Sequence, residues 1–517
     1  MTWHRVLTAS AWVGFSVGIA GAQASTGGQT TAPARGPVSS PASSVVLTPQ
    51  QEQTLLEDEG QLLHFVSKVT QLPIKAPVKC RFVSRQEVSA ELRKKFDEDK
   101  DTRRMERSEL VLKKFGLLDE DFQMRPFLLR LLTEQIAGFY DDKTRQMTLL
   151  DWVPIDEQKP VMAHELTHAL QDQRVGLKRW ENQEIEGTAK NVAQDNRHIA
   201  NDDTDTAREA ALEGQAMVSF ADYILAEAGH PDRTLKDAPG LAQKLESNAG
   251  DMSGSPVLAR APLVLQESLL FPYTYGLAFE DAILTKQGTE RAFAGVLEDP
   301  PSSSFQIMTP AAYLRNRPVP LMKLPDIHPL LKSAGYVPYD VGVMGELDVS
   351  MTAELFGGLP LARALAPEWN GGVYYAAQRK DASAAEKNTT ASLAIFYSSE
   401  WKQKDSARSF FHIFEEELPR QYDGLKRRRD EETDPDERVY STAEGDILLS
   451  LSGKSVWVSE GFDLAMARKL RESVDRVNAP TGSGPMLQAH AAPADHDLLG
   501  GLVESISQFG VMRAALR

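Results

Sequence analysis

The sequence predicts an α+β protein: a helix-rich unit with a small sheet and an edge-strand hairpin, followed by a smaller α+β unit. Three observations carry this. Long stretches repeat apolar residues at three- and four-residue spacing, the pattern of helices with one buried face. Two short strand-like runs flank the polar tetrad Asp141-Asp142-Lys143-Thr144, as in a hairpin. From about Gly345 the texture changes to alternating strand-like runs broken by amphipathic stretches.

The elements follow in chain order. Residues 1–24 have the make-up of a secretory signal: a positive charge at Arg5, an uncharged apolar run over 6–20, and Ala22-Gln23-Ala24 as a small-x-small cleavage site. The apolar run is shorter than the ~20 residues a membrane span needs. A secreted or periplasmic protein with no integral membrane segment after signal removal is expected. Residues 25–48, rich in Ser, Thr, Gly, Pro and Ala, read as a disordered linker. Residues 50–69 and 85–115 read as amphipathic helices on either side of an apolar segment at 78–83. A further helix is expected at 127–136, and the hairpin follows, with Gly138-Phe139-Tyr140 and residues 146–150 as its arms.

Pro160 suits the first turn of a helix running to about Gln173, because its missing N–H would be unpaired there. Residues 181–206 read as polar and irregular, 207–228 as a second helix, 263–287 and 288–297 as helical, and 300–304 as a turn. Together, residues 49–345 form the expected larger unit. The smaller one, residues 346–478, has strands at 372–378, 391–397, 439–451 and 455–459 and helices at 405–422 and 464–477. Residues 479–517 read as linker and tail.

Composition bounds the function. The 517 residues are 42% hydrophobic and 25% charged, ordinary for folded protein and too many for one core. A formal charge of −16 argues against a nucleic-acid partner, which calls for a basic surface. The one dense basic run, Lys426-Arg427-Arg428-Arg429, is neutralised at once by Asp430, Glu431 and Glu432. Cys80 is the only cysteine, so no intrachain disulfide can form.

The chemistry lies in His164-Glu165-Leu166-Thr167-His168, an H-E-x-x-H inside a predicted helix. Residues four apart share a helix face, so two imidazoles can each offer a nitrogen to one Zn²⁺. Glu165 lies about 100° round the helix, where its carboxylate can act as general base toward a metal-bound water. A catalytic zinc needs a third protein ligand. Gln171 and Arg174 stand where the metzincin extension would require Gly and His, so a carboxylate from a later helix is expected. Both Glu209 and Glu213 are available. Thr206-Ala207-Arg208-Glu209 reads as a capping box, which gives Glu209 another role. Glu213 sits in the apolar stripe Ala210, Met217, Phe220, Ile224, where a carboxylate is costly unless paired or coordinated. Gly214 beside it permits close approach of another backbone. Glu213 is the favoured ligand, and Glu209 the alternative. His198, His230 and His328 fall outside any ligand spacing and read as surface or helix-end histidines.

These residues resemble a family. His-Glu-Leu-Thr-His followed by Leu212-Glu213-Gly214-Gln215-Ala216 is similar to the gluzincin zinc peptidases, whose third ligand is often the Glu of a Glu-Gly-x-Ala segment. Residues 164–173, the hairpin at 137–141 and Phe271-Pro272-Tyr273-x-Tyr275-Gly276 further resemble secreted bacterial zincins. The resemblance implies a zinc metallopeptidase acting on a peptide or protein substrate. It also implies a zincin fold in which the hairpin supplies an edge strand for that substrate. Gln215 departs from the pattern, standing where an acidic residue is common. Tyr140, Tyr273 and Tyr275 are candidates for stabilising an oxyanion by resemblance and aromatic character. Rival expectations are a zinc hydrolase of a non-peptide amide with Cys80 as ligand, an exported binding or assembly protein retaining a structural zinc, and a scaffold in which the C-terminal unit does the work.

Overall fold

A computed structural model describes residues 46–98, 102–136, 138–181, 191–249, 252 and 255–479. The predicted signal, nearly all of the linker and the C-terminal tail lie outside these residues. Among the described residues no helix is long and apolar enough to cross a membrane. The protein is α+β and helix-rich, with one small mixed sheet and one larger antiparallel sheet.

The chain enters helix α1, Pro49–Thr70, through a capping box in which the Thr48 hydroxyl accepts from the Gln51 N–H and the Gln51 side chain accepts in return. Strand β1, Lys79–Val83, leads to α2, Arg85–Glu98, and α3, Thr102–Lys114. The stretch expected to be helical over 85–115 is helical over 85–98 and 102–114, and residues 99–101 lie outside the described residues. Helix α4, Met124–Gln135, then feeds the hairpin β2, Gly138–Asp141, and β3, Gln146–Leu150. Strand β3 is central in the small sheet. It pairs antiparallel with β2 (Tyr140 opposite Met147) and parallel with β1 (Cys80 opposite Met147). Among the described residues strand β2 is thus an edge strand, as expected of the hairpin. Its Phe139 and Tyr140 are nevertheless buried, so its outer edge is not open to an extended chain in this conformation.

Helix α5, Ile155–Val175, packs under this sheet and against α1. It starts five residues before Pro160, which lies inside the helix. Pro154 stands at the N-cap, and Asp156 and Glu157 in the first turn suit the positive end of the helix dipole. Gly176 (φ 71°) ends it with an N–H to the Asp172 carbonyl.

The stretch expected to be irregular contains a helix, α6, Val192–Asn201, whose N-terminal amides are capped by the Asn191 side chain. Helix α7 follows, Thr204–Glu227, and is buried from Thr204 to Tyr223 except Asp205. The proposed capping box therefore fails, because Thr206 and Glu209 lie inside the helix. The N-cap residue is Asp203, whose carboxylate accepts from the Ser303 hydroxyl and from the Ser304 N–H and hydroxyl. Its neighbour Asp202 accepts from the Val343 N–H at 2.8 Å. These bonds fasten the start of α7 to the chain that enters the second sheet.

Helix α8, Leu263–Gln287, runs against α7. A β-carbon on Gly214 would meet the Gly276 carbonyl oxygen at 2.2 Å, and one on Gly276 would meet that of Ala210 at 2.1 Å. The two backbones touch where neither residue has a side chain, as Gly214 suggested. After α8 the stretch expected to be helical over 288–297 contains one π-helical turn, Arg291–Gly295.

The larger sheet has the order β4-β5-β6-β10-β9-β8-β7. Its strands are β4, Tyr336–Gly342; β5, Trp369–Arg379; β6, Leu393–Trp401; β7, Lys426–Arg427; β8, Glu437–Thr442; β9, Gly445–Ser452; and β10, Ser455–Glu460. The strand expected over 439–451 is the hairpin β8–β9, and β4 was not foreseen. Because β4 belongs to this sheet, the sheet begins before residue 346. Helices α9, Glu346–Gly357, α10, Lys404–Gln421, and α11, Leu464–Asn478, complete this part. Both α10 and α11 lie on the sheet, while α9 packs between α8 and α10. One continuous buried cluster runs from Leu55 through α5, α7 and α8 into the sheet residues Tyr374, Phe396 and Trp457.

Candidate metal centre

Helix α7 lies between two partners. Its Ala210 and Gly214 meet α8, and the adjacent Glu213 is turned toward α5. There His164 and His168 lie one helical turn apart, with ring centroids 4.8 Å apart. The Glu213 Oε2 lies 3.0 Å from His164 Nε2 and 3.4 Å from His168 Nε2, and the two Nε2 atoms are 3.1 Å apart. An ion with tetrahedral bonds of 2.0–2.1 Å spaces its ligand atoms about 3.3 Å apart. The three donors therefore form a group able to hold a metal ion, and among the described residues no other such group of three is found. Glu209 is not part of it. Neither is Cys80, which lies on β1 with its thiol pushed up to about 12, by burial and then by the Glu59 charge.

All three side chains are nearly out of water: His164 is 0% exposed, Glu213 2% and His168 8%. Burial opposes charge on each of them. For Glu213 the facing His168 and His164 overcome it and hold the carboxyl well below its ordinary range. Burial also acts to lower His168, but the charge and hydrogen bond of Glu213 leave it above its usual value, whereas His164 is left below. The Glu213 carboxylate is thus the negative partner that both imidazoles face.

Glu165 is 1% exposed, and among the described residues neither carboxylate oxygen has a hydrogen-bond partner of good geometry. Burial pushes it up to about 8. The His168 charge and the Tyr140 N–H pull it down, and Glu213 pushes it up. Its carboxyl therefore loses its proton nearer neutral pH than an ordinary glutamate does.

The tyrosines separate. Tyr140 donates its hydroxyl to Asp172 Oδ2 at 3.0 Å, and Asp172 also accepts from the Leu177 N–H at the end of α5. That hydroxyl is part of a helix-end fastening, and it is through its backbone N–H that Tyr140 acts on Glu165. Tyr273 stacks beside His164, at 6.3 Å between ring centroids and 29° between planes. Tyr275 is about 200° further round α8 and packs on Phe271. Sequence reasoning passed over Gln171. Its Oε1 lies 2.8 Å from His168 Nδ1, and its Nε2 donates to the Leu212 carbonyl and to Gln215 Oε1. Its position three residues after His168, on the same helix face, was the available signal. His198 is a helix-end histidine, as one of the two readings had it: it lies in the last turn of α6, buried near Asp202 where α6 packs against β4. His328 lies against Asp195 and Asp326, and His230 is exposed as expected.

The chain matches no protein-family profile, no curated protein and no solved structure.

Proposed function

We propose that this chain is an exported zinc-dependent peptidase, with His164, His168 and Glu213 as ligands and Glu165 as general base. The observation that carries the reading is the meeting of two imidazoles and a distant carboxylate beside a buried glutamate. Two nitrogens and one carboxylate oxygen at this spacing suit zinc, and three protein ligands leave a fourth position for chemistry. A zinc ion held there supplies Lewis acidity, polarising a carbonyl and making water acidic enough to lose a proton near neutral pH.

The residues then divide the work. Glu165 accepts a proton from water as the water oxygen bonds to the peptide carbonyl carbon. It returns that proton to the amine as the C–N bond breaks, leaving an acid and an amine. Glu213 balances part of the cation's charge, and Tyr273 packs beside His164. The acidic chain and the secretory-type N-terminus support an extracytoplasmic peptide or protein substrate over nucleic acid.

One observation favours a second reading, an exported binding or assembly protein with a structural zinc: the whole group, Glu165 included, is almost sealed from water. Glu165→Gln separates the two. With a broad peptide library and zinc supplied, the peptidase reading expects a wild type that turns over and a variant that keeps its metal but loses about 10²-fold or more in kcat. An inactive wild type with one tightly held zinc supports the binding protein instead.

A further inference from the structure

We propose that Gln171 and Gln215 are positioning residues of the metal centre. They form a one-way hydrogen-bond chain that begins at the backbone carbonyls of Ala292 and Phe293 and ends at His168 Nδ1. The inference rests on the metal-holding role of His164, His168 and Glu213.

Direction is built into the chain. Backbone carbonyls only accept hydrogen bonds, so whatever faces them must donate. Gln215 Nε2 is 2.8 Å from the Ala292 oxygen and 3.1 Å from that of Phe293. The alternative amide orientation would set oxygen against two oxygens. Gln215 therefore offers its own Oε1 to Gln171 Nε2, at 2.9 Å. The same Gln171 Nε2 donates to the Leu212 carbonyl at 3.0 Å, which fixes the second amide independently. Gln171 Oε1 is left to face His168, so the proton of the contact must come from Nδ1. A neutral His168 then carries its lone pair on Nε2, the atom that lies among the other two ligands.

Both glutamines are 0% exposed, so bulk water does not compete for their hydrogen bonds. Both carbonyls belong to the π-helical turn Arg291–Gly295, which presents two consecutive carbonyls to one amide. The arrangement ties a ligand on α5 to α7, and through Gln215 to the turn beyond α8. It also gives Gln215, which departs from the family pattern, a definite task.

The experiment measures zinc affinity by competition with a chromophoric chelator, and urea stability of the metal-free protein, for the wild type and three variants. Gln171→Leu removes the acceptor and should weaken zinc binding about 10–100-fold. Gln171→Glu keeps an acceptor for Nδ1–H while losing the donor to Leu212 and Gln215. It should hold zinc far more tightly than Gln171→Leu while losing stability comparably. Gln215→Leu, one link removed, should weaken zinc binding by less than Gln171→Leu and reads the chain if Gln171→Leu fails to fold. A merely structural role would make affinity follow stability in all three. Zinc affinity unchanged in Gln171→Leu, or equally poor in Gln171→Glu, overturns the inference while leaving the metal centre standing. A wild type that binds no zinc overturns the metal centre and this inference together.

Discussion

The contact between α7 and α8 sets where Glu213 sits, and Gly276→Ala tests it. An added β-carbon would lie 2.1 Å from the Ala210 carbonyl oxygen, whereas real β-carbons essentially never come closer than 3.0 Å. The obstacle is backbone, so no rotamer change relieves it, and the helices must part by about 0.9 Å. Overpacking of this kind costs about 1–3 kcal/mol. A contact between two main chains belongs at the upper end. Replacing a helical glycine by alanine returns about 1 kcal/mol, leaving a net loss of about 2 kcal/mol. Gly60→Ala is the matched control: the same change in α1, with nothing within 4 Å of the new carbon, should stabilise by about 1 kcal/mol. Urea unfolding of the metal-free proteins reads both as shifts of midpoint at constant slope. Because Gly276 touches the turn of α7 that precedes Glu213, zinc affinity should fall in Gly276→Ala and not in Gly60→Ala. If Gly276→Ala unfolds at the wild-type midpoint or above it, the helices do not meet as described.

Three further outcomes are expected. Tyr140→Phe should lose about 1–2 kcal/mol of stability, since Asp172 loses a donor, with kcat unchanged in a peptide assay; a large fall in kcat would instead make the hydroxyl catalytic. Burial raises Asp222 and Glu460 to about 7 and Glu346 to about 8, so the folded chain retains protons that the unfolded chain releases near pH 4. Their contribution is full below about pH 4, falls as the unfolded chain ionises and is gone once the pH has risen past 7 to 8, so the unfolding temperature should drop from pH 5 to pH 8.5, and Glu346→Gln should flatten the slope. Asp203→Ala removes the acceptor shared by Ser303 and Ser304. It should cost about 2–3 kcal/mol by leaving buried donors unpaired, seen as a lower urea midpoint.

Local patterns in the sequence were readable where the physics is local. The four-residue spacing of His164 and His168 needs only a helix, and the Asp141-Asp142-Lys143-Thr144 turn needs only its two flanking runs. Glu213 was readable because a carboxylate in an apolar stripe demands an explanation. Helix α6 was hidden because its buried face carries Asp195 and His198, so the polar sequence showed no apolar stripe. Thr206 and Glu209 mimicked a helix start because a capping box inside a longer helix has the same letters, and only the Asp203–Ser304 contact reveals the true end. Pro160 misled similarly: a proline is tolerated at the sixth position of α5, where it forgoes a single helical hydrogen bond. The partner of Gly214 could not be read at all, since it depends on two helices meeting some sixty residues apart in the chain.

Metal analysis combined with X-ray absorption at the zinc edge, on the wild type and Glu213→Ala, reaches the centre itself. The expected result is one zinc per chain in a shell of nitrogen and oxygen only, at about 2.0–2.1 Å, with the metal lost or greatly weakened in Glu213→Ala. A sulfur scatterer from Cys80, or zinc held equally well without Glu213, would contradict the account.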